Sequence, residues 1–199
     1  FRNQDFARLT TIARKASGSP RLHRALIGLI ITYRAAFDSR PRGRMNRSLY
    51  PLYQYARHMG GLGAILVPPL TSRLRFADLR AVRADWTDPY FIYQIVRFCH
   101  HSLFRKDAIV ASPLLNGFGY ILVDVALIHW YARAFAVARG ASQVERDDVD
   151  QAIGAIEKYY CLHTDFMRLF DMYPVLNTLV DRVLAKPFFA PTLLRPKGP

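Results

Sequence analysis

Two groups of cysteine and histidine are the residues of this chain that could hold a metal ion. Cys99 precedes His100 and His101, and Cys161 stands two positions before His163. Two thiolates and two imidazoles can complete a zinc tetrahedron. Zinc sites usually take their ligands from pairs of cysteines or histidines a few positions apart, and neither kind of pair occurs here. Both cysteines lie in apolar helical patterns, where a free Cys acts as a small hydrophobic residue, so we expect core cysteines with no metal and no cofactor.

A second candidate group combines Asp124, His129, Tyr159 and His163, which could line a pocket. Asp124 and His129 lie five positions apart on one apolar helix, so their side chains diverge by roughly 140° and cannot form an intrahelical pair. A buried carboxylate without a partner has a raised pKa, which suits acid–base catalysis, but an arginine from elsewhere is the simpler partner. We therefore favour a salt bridge for Asp124, and core tyrosines with polar tips around Tyr159.

A basic and aromatic segment is the third candidate. Guanidinium groups and aromatic rings together suit an acidic peptide or a single-stranded nucleic acid, although a solvated loop would look the same. Breakers at Pro41 and Gly43 place the start of this segment at the surface. The predicted partner-binding residues are Arg40, Arg42, Arg44, Arg47, Tyr50, Tyr53 and Arg57.

Charge is distributed unevenly along the 199 residues, whose net charge is +13. The first hundred residues hold 17 Lys or Arg against 5 Asp, whereas the rest of the chain is nearly balanced. Such an excess predicts an anionic partner: an acidic protein surface, a nucleic-acid backbone or a lipid headgroup layer. A hydrophobic content of 51% excludes a disordered protein. With two unpaired cysteines, we expect an intracellular, reducing compartment.

Helix signals then define the elements that carry these residues. Ser19-Pro20, Asp88-Pro89 and Ser112-Pro113 each combine an N-cap residue with proline at the first helical position. No strand-like alternation appears, so the sequence predicts an all-α helical bundle of about six to eight helices with one long central apolar helix. The predicted helices cover 20–37, 49–59, a short basic stretch within 71–84, 89–104, 113–139, 147–171 and a segment after Pro174.

We expect a basic helical part over 1–87 and a bundle over 88–199, packed as one unit. Segment 109–132 is long enough to span a bilayer and carries one formal charge, Asp124. Because a charge at that depth is costly and Pro113, Asn116 and His129 add further polar or helix-breaking features, we favour a core helix of a soluble bundle over a membrane span.

Three segments between positions 90 and 170 form a helical pattern: Tyr90-Phe91-Ile92-Tyr93-Gln94 leading to Phe98 and Leu103-Phe104, then helix 114–138, then Asp147-Asp148-Val149-Asp150-Gln151-Ala152-Ile153 with Ile156-Glu157, His163 and Phe166. This pattern resembles the C-terminal helical region of the flagellin lysine-N-methylase family. The resemblance implies a fragment of a protein-lysine methyltransferase. The family's N-terminal cysteine cluster is absent, so none of its catalytic residues can be placed here.

Three functions follow from these features. We expect first a non-catalytic helical interaction subunit with a basic face that acts in a larger protein assembly. The alternatives are a protein-lysine methyltransferase fragment and an RNA-binding structural subunit of a ribonucleoprotein complex. A bound methyl donor would favour the second, and binding that weakens steeply with salt would favour the third.

Overall fold

The computed structural model describes residues 20–39, 49–104, 114–160 and Thr178. The described part of the chain is all-α, as predicted, with six helices and no strand. Four of the predicted partner-binding residues lie outside it, namely Arg40, Arg42, Arg44 and Arg47. His163, Cys161, the residues after 160 in the predicted helix 147–171, and the helix predicted after Pro174 are outside the described residues as well.

The helices begin and end close to the positions that the sequence predicts. The six helices are α1 Pro20–Ser39, α2 Leu49–Met59, α3 Phe76–Ala81, α4 Pro89–Phe104, α5 Leu114–Ala138 and α6 Arg146–Tyr159. Both α2 and α4 have the predicted bounds, whereas the stretch within 71–84 forms a helix of six residues only.

Local capping chemistry explains the helix ends. The Tyr90 amide donates to Asp88 Oδ1 at 2.7 Å, which makes Asp88 the N-cap of α4. Helix α6 starts one residue before the predicted Asp147, because Glu145 is its N-cap and forms a capping box with Asp148. Gly140, at φ +76°, ends α5 in a Schellman arrangement, as its position after the apolar run predicts.

Helix α5 is the centre of the core. Leu127, Ile128 and Tyr131 are fully buried, and α5 packs most extensively against α6 while also contacting α1, α3 and α4. By length and composition Tyr120–Ala138 could cross a membrane, yet 61% of this span is buried inside the protein. Burial of this kind is typical of the central helix of a bundle. Val125 of the same helix is also buried, and Leu122 and Trp130 are partly buried.

Hydrogen bonds tie the segment that follows α2 to this central helix. Ile65 and Leu74 exchange two backbone hydrogen bonds of 2.8 Å, which closes residues 65–74 into a loop. The Tyr131 hydroxyl donates to the Pro68 carbonyl at 2.9 Å and lies 2.9 Å from the Tyr160 hydroxyl. The loop therefore has a fixed position relative to α5 and α6.

Candidate basic interface

Helix α2 carries the described part of the predicted partner-binding set. Tyr50, Tyr53 and Arg57 are three and four positions apart, so they project from one face of the helix. Tyr53 and Arg57 are exposed and Tyr50 is partly exposed. The opposite face packs on α1, where Tyr55 and Met59 lie against Gly28. The structure thus places the three predicted residues together on the outer side of α2.

The end of α2 fixes the position of Arg57. The amide of Leu62 donates to the Arg57 carbonyl at 2.9 Å, and Gly61, at φ +75°, supplies the left-handed residue that this helix end requires. Arg57 Nε in turn donates to the Leu62 carbonyl at 3.2 Å. The Gly60-Gly61-Leu62-Gly63 sequence is therefore a helix C-cap that holds an arginine in place.

A partly open cleft of about 600 Å³ lies between α1, α2 and the loop that follows α2. Among the described residues, two arginines line it and no carboxylate does. The buried part of the lining includes Thr32, His58, Ile65 and Leu70, and the exposed part includes Arg57, Leu66, Pro69 and Arg73. The remaining described residues of the lining are Ala35, Tyr50, Gln54, Ala64 and Pro68.

His58 is the titratable side chain buried in this cleft, with 5% of its surface exposed. Its ring contacts Phe76, with the ring centroids 5.7 Å apart. Burial lowers the pKa of His58, because the protonated imidazolium loses its hydration there. Nδ1 lies beside the backbone of Gly63 but makes no hydrogen bond of ordinary geometry with any described residue.

More arginines extend the basic surface beyond the cleft. Arg73, Arg75, Arg80 and Arg83 are exposed, and within the described ranges none of them forms an ion pair with a carboxylate. Asp78 is the one acidic residue between positions 49 and 84. We call the four arginines and Arg57 the basic face.

The second half of the chain uses an arginine differently. Arg139 contacts Glu145 at 3.1 Å and Asp148 at 2.8 Å, and Asp148 is almost completely buried. These ion pairs hold the turn between α5 and α6, which is a structural role. No carboxylate of the described residues pairs in this way with the guanidinium groups of the basic face.

The described residues of the predicted pocket lie in separate parts of the structure. Asp124 lies near Cys99 of α4, and His129 stacks on Trp86 with the ring centroids 3.9 Å apart. Tyr159 lies 5.6 Å from the guanidinium carbon of Arg34. None of these three predicted pocket residues lines the cleft.

The expected salt bridge of Asp124 is not formed within the described part of the chain. No arginine there contacts this carboxyl, and burial raises the pKa of Asp124 well above its ordinary value. Desolvation is the cause of this rise, because it disfavours the charged form of the carboxyl. Burial also raises the pKa of Cys99, with a smaller contribution from the charge of Asp124.

Sequence patterns did not reveal which residues join α2 in the cleft. Thr32 and Arg73 are far apart in the sequence, and the loop closed by Ile65 and Leu74 brings them together. In the sequence, Pro68-Pro69 forbids a continuous helix at this position and so indicates a loop. The chain reverses in this loop, and this reversal brings Arg73 back toward α2.

No metal site accompanies the cleft, since the described residues contain no group of three His, Cys, Asp or Glu side chains that could hold an ion. Comparison of the chain with protein-family models, with curated proteins and with solved structures finds no significant match.

Proposed function

We propose that this chain is a helical interaction subunit whose basic face binds an acidic segment of a protein partner. The observation that carries the proposal is the set of exposed arginines between α2 and α4, which lack carboxylate partners in the described part of the chain. Planar guanidinium groups suit bidentate contacts with carboxylates.

Several arginines are needed for such binding, because an exposed ion pair contributes only about 0.2–1 kcal/mol. The rigid mounting of Arg57 at the end of α2 lowers the entropy that binding must otherwise overcome. Arg73 lies within the closed loop, next to its last residue Leu74, and α3 carries Arg80. Helical and loop elements therefore hold these charges in a defined arrangement.

RNA is the alternative partner, and the aromatic residues of the same region count against it. Single-stranded nucleic acids bind to platforms of several exposed rings on which bases stack. Of the described aromatic residues between positions 49 and 84, Tyr53 alone is exposed. Tyr55 and Phe76 face Gly28 in the protein interior instead.

Fluorescence anisotropy with labelled poly-L-glutamate and labelled oligouridylate tests the proposal. The variant Arg73→Gln, Arg75→Gln and Arg80→Gln should bind poly-L-glutamate about tenfold more weakly, as expected for the loss of three ion pairs. A control with the same charge loss elsewhere, Arg97→Gln, Arg146→Gln and Lys158→Gln, should change binding less than about twofold.

Equal weakening in both variants would contradict the proposal, because net charge alone would then explain the binding. Tighter binding of oligouridylate than of poly-L-glutamate, with a salt dependence that matches several phosphates, would favour the RNA-binding alternative.

A further inference from the structure

The cleft beside the basic face has the size and rigidity of a small-molecule site. Its volume of about 600 Å³ lies within the range of about 300–1,000 Å³ that is typical of ligand pockets. Two helices form its walls, and the third wall is the loop closed by the two hydrogen bonds between Ile65 and Leu74. The bond from Tyr131 to the Pro68 carbonyl fixes this loop, so the cleft is preformed.

The lining separates into an apolar interior and a cationic edge. Ile65 and Leu70 are buried in the wall, with 4% and 7% of their surfaces exposed. Arg57 and Arg73 are exposed at the edge, and no carboxylate is among the described residues of the lining. A ligand that fills this cleft would therefore need an apolar body and an anionic head group.

His58 is one of the two buried polar side chains of the described lining, with 5% of its surface exposed. Its ring lies against the backbone of Gly63, and a backbone hydrogen bond there partly opposes the lowering of its pKa by burial. Its position in the wall makes it a probe for a ligand that enters the cleft. Thr32, the other buried polar residue of the lining, donates its hydroxyl hydrogen to the Gly28 carbonyl at 2.7 Å.

We propose that this cleft binds a small amphipathic anion, with its apolar body against Ile65 and Leu70 and its anionic head group between Arg57 and Arg73. A carboxylate and a phosphate monoester share the required head-group chemistry. The proposal does not depend on the macromolecular partner, because most of the arginines of the basic face lie outside the cleft.

Isothermal titration calorimetry with decanoate and decyl phosphate tests this site. At least one of the two should bind with a stoichiometry of one, and the better ligand identifies the head group. Decanol, which has the same chain without the charge, should bind about tenfold more weakly or less well still, since charged hydrogen bonds contribute about 1.5–3 kcal/mol. Acetate and inorganic phosphate, which lack the apolar body, should not bind measurably.

Two variants of neighbouring arginines localise the binding. Arg73→Gln removes a cleft guanidinium and should weaken binding of the better ligand about tenfold. Arg75→Gln removes the same charge two positions away, outside the lining, and should leave the affinity unchanged. Both positions are exposed, so both variants should fold. In NMR spectra of protein with labelled histidine, the ring signals of His58 should shift during the titration.

Equal binding of decanol and the two anions would overturn the proposal, because it would indicate adsorption to apolar surface. Equal effects of the two arginine variants, unshifted His58 signals, or no binding of either anion would also overturn it. Loss of poly-L-glutamate binding in the triple variant is a separate result and leaves this test intact.

Discussion

Asp124 is partly buried and has no arginine partner among the described residues, and this combination predicts a distinctive pH dependence. The folded-state pKa is raised, so the folded protein keeps a proton that the unfolded chain releases. Its contribution to stability is complete at acidic pH and is lost as the pH rises from the ordinary aspartate range through the folded-state pKa.

Asp124→Asn should therefore raise the melting temperature at pH 7 and have little effect in acid. The amide keeps the shape of the carboxyl but cannot ionise. Thermal denaturation of both proteins from pH 3 to pH 7 checks this expectation. A lower melting temperature for the variant at pH 7 would show that a cation pairs with the carboxylate after all.

His58 should act in the opposite direction. Its pKa is lowered by burial, so its contribution to stability is present above the ordinary histidine pKa and is lost as the pH falls through it. The free energy of unfolding should decrease between pH 7 and pH 5, and His58→Gln should reduce that decrease. Denaturant titrations at pH 7 and pH 5 measure the free energy of unfolding. An equal decrease between the two pH values in both proteins would contradict the assignment to His58.

Two glycines at helical positions should respond differently to alanine. A Cβ at Gly28 would come within 3.2 Å of Phe76 and 3.3 Å of Met59, so Gly28→Ala should destabilise the packing of α1, α2 and α3 by about 1–3 kcal/mol. At Gly154 in α6 nothing lies within 4 Å of the added atom. Gly154→Ala should stabilise the protein by about 0.5–1 kcal/mol, measured by chemical denaturation. The same sign for both variants would contradict the close packing at Gly28.

At the scale of whole elements, the importance of α5 can be tested at Leu127. This side chain is completely buried, so Leu127→Ala should cost about 2–5 kcal/mol of unfolding free energy. Leu62→Ala is the control, because Leu62 is 73% exposed and its truncation should change stability by less than about 0.5 kcal/mol. Similar losses in both variants would remove α5 from the centre of the core.

Helix bounds could be predicted from the sequence where the capping chemistry is local. Asp88-Pro89 starts α4 and Gly60-Gly61 ends α2, because an N-cap oxygen and a left-handed glycine act within a few residues. The start of α6 was missed by one residue because glutamate is a less typical N-cap than the aspartates that follow it. The position of Thr32 in the cleft lining depends on packing between segments that are distant in the sequence, and no local pattern encodes such packing.

For the whole molecule, the electrostatic field and the fold are linked through the uneven charge. Arg139 is neutralised by Glu145 and Asp148, whereas the arginines of the basic face repel one another. Surfaces with unpaired like charges lose stability through this repulsion and gain association rate with oppositely charged partners. Under the proposed function, the basic face would lose some stability in the isolated chain and gain association rate with an acidic partner.

Added salt should reduce the repulsion among the arginines of the basic face and so stabilise the isolated chain. Raising the ionic strength to about 0.15 M shortens the screening length to about 8 Å, which weakens repulsion between separated arginines. The melting temperature should rise accordingly, and it should rise less in the variant Arg73→Gln, Arg75→Gln and Arg80→Gln. In the variant Arg97→Gln, Arg146→Gln and Lys158→Gln the melting temperature should rise with salt by more than in the first variant. Two of its three changes, Arg146 and Lys158, lie in the second half of the chain, where acidic and basic residues are nearly equal in number. A melting temperature that falls with salt would instead mean that ion pairs such as that between Arg139 and Asp148 outweigh the repulsion.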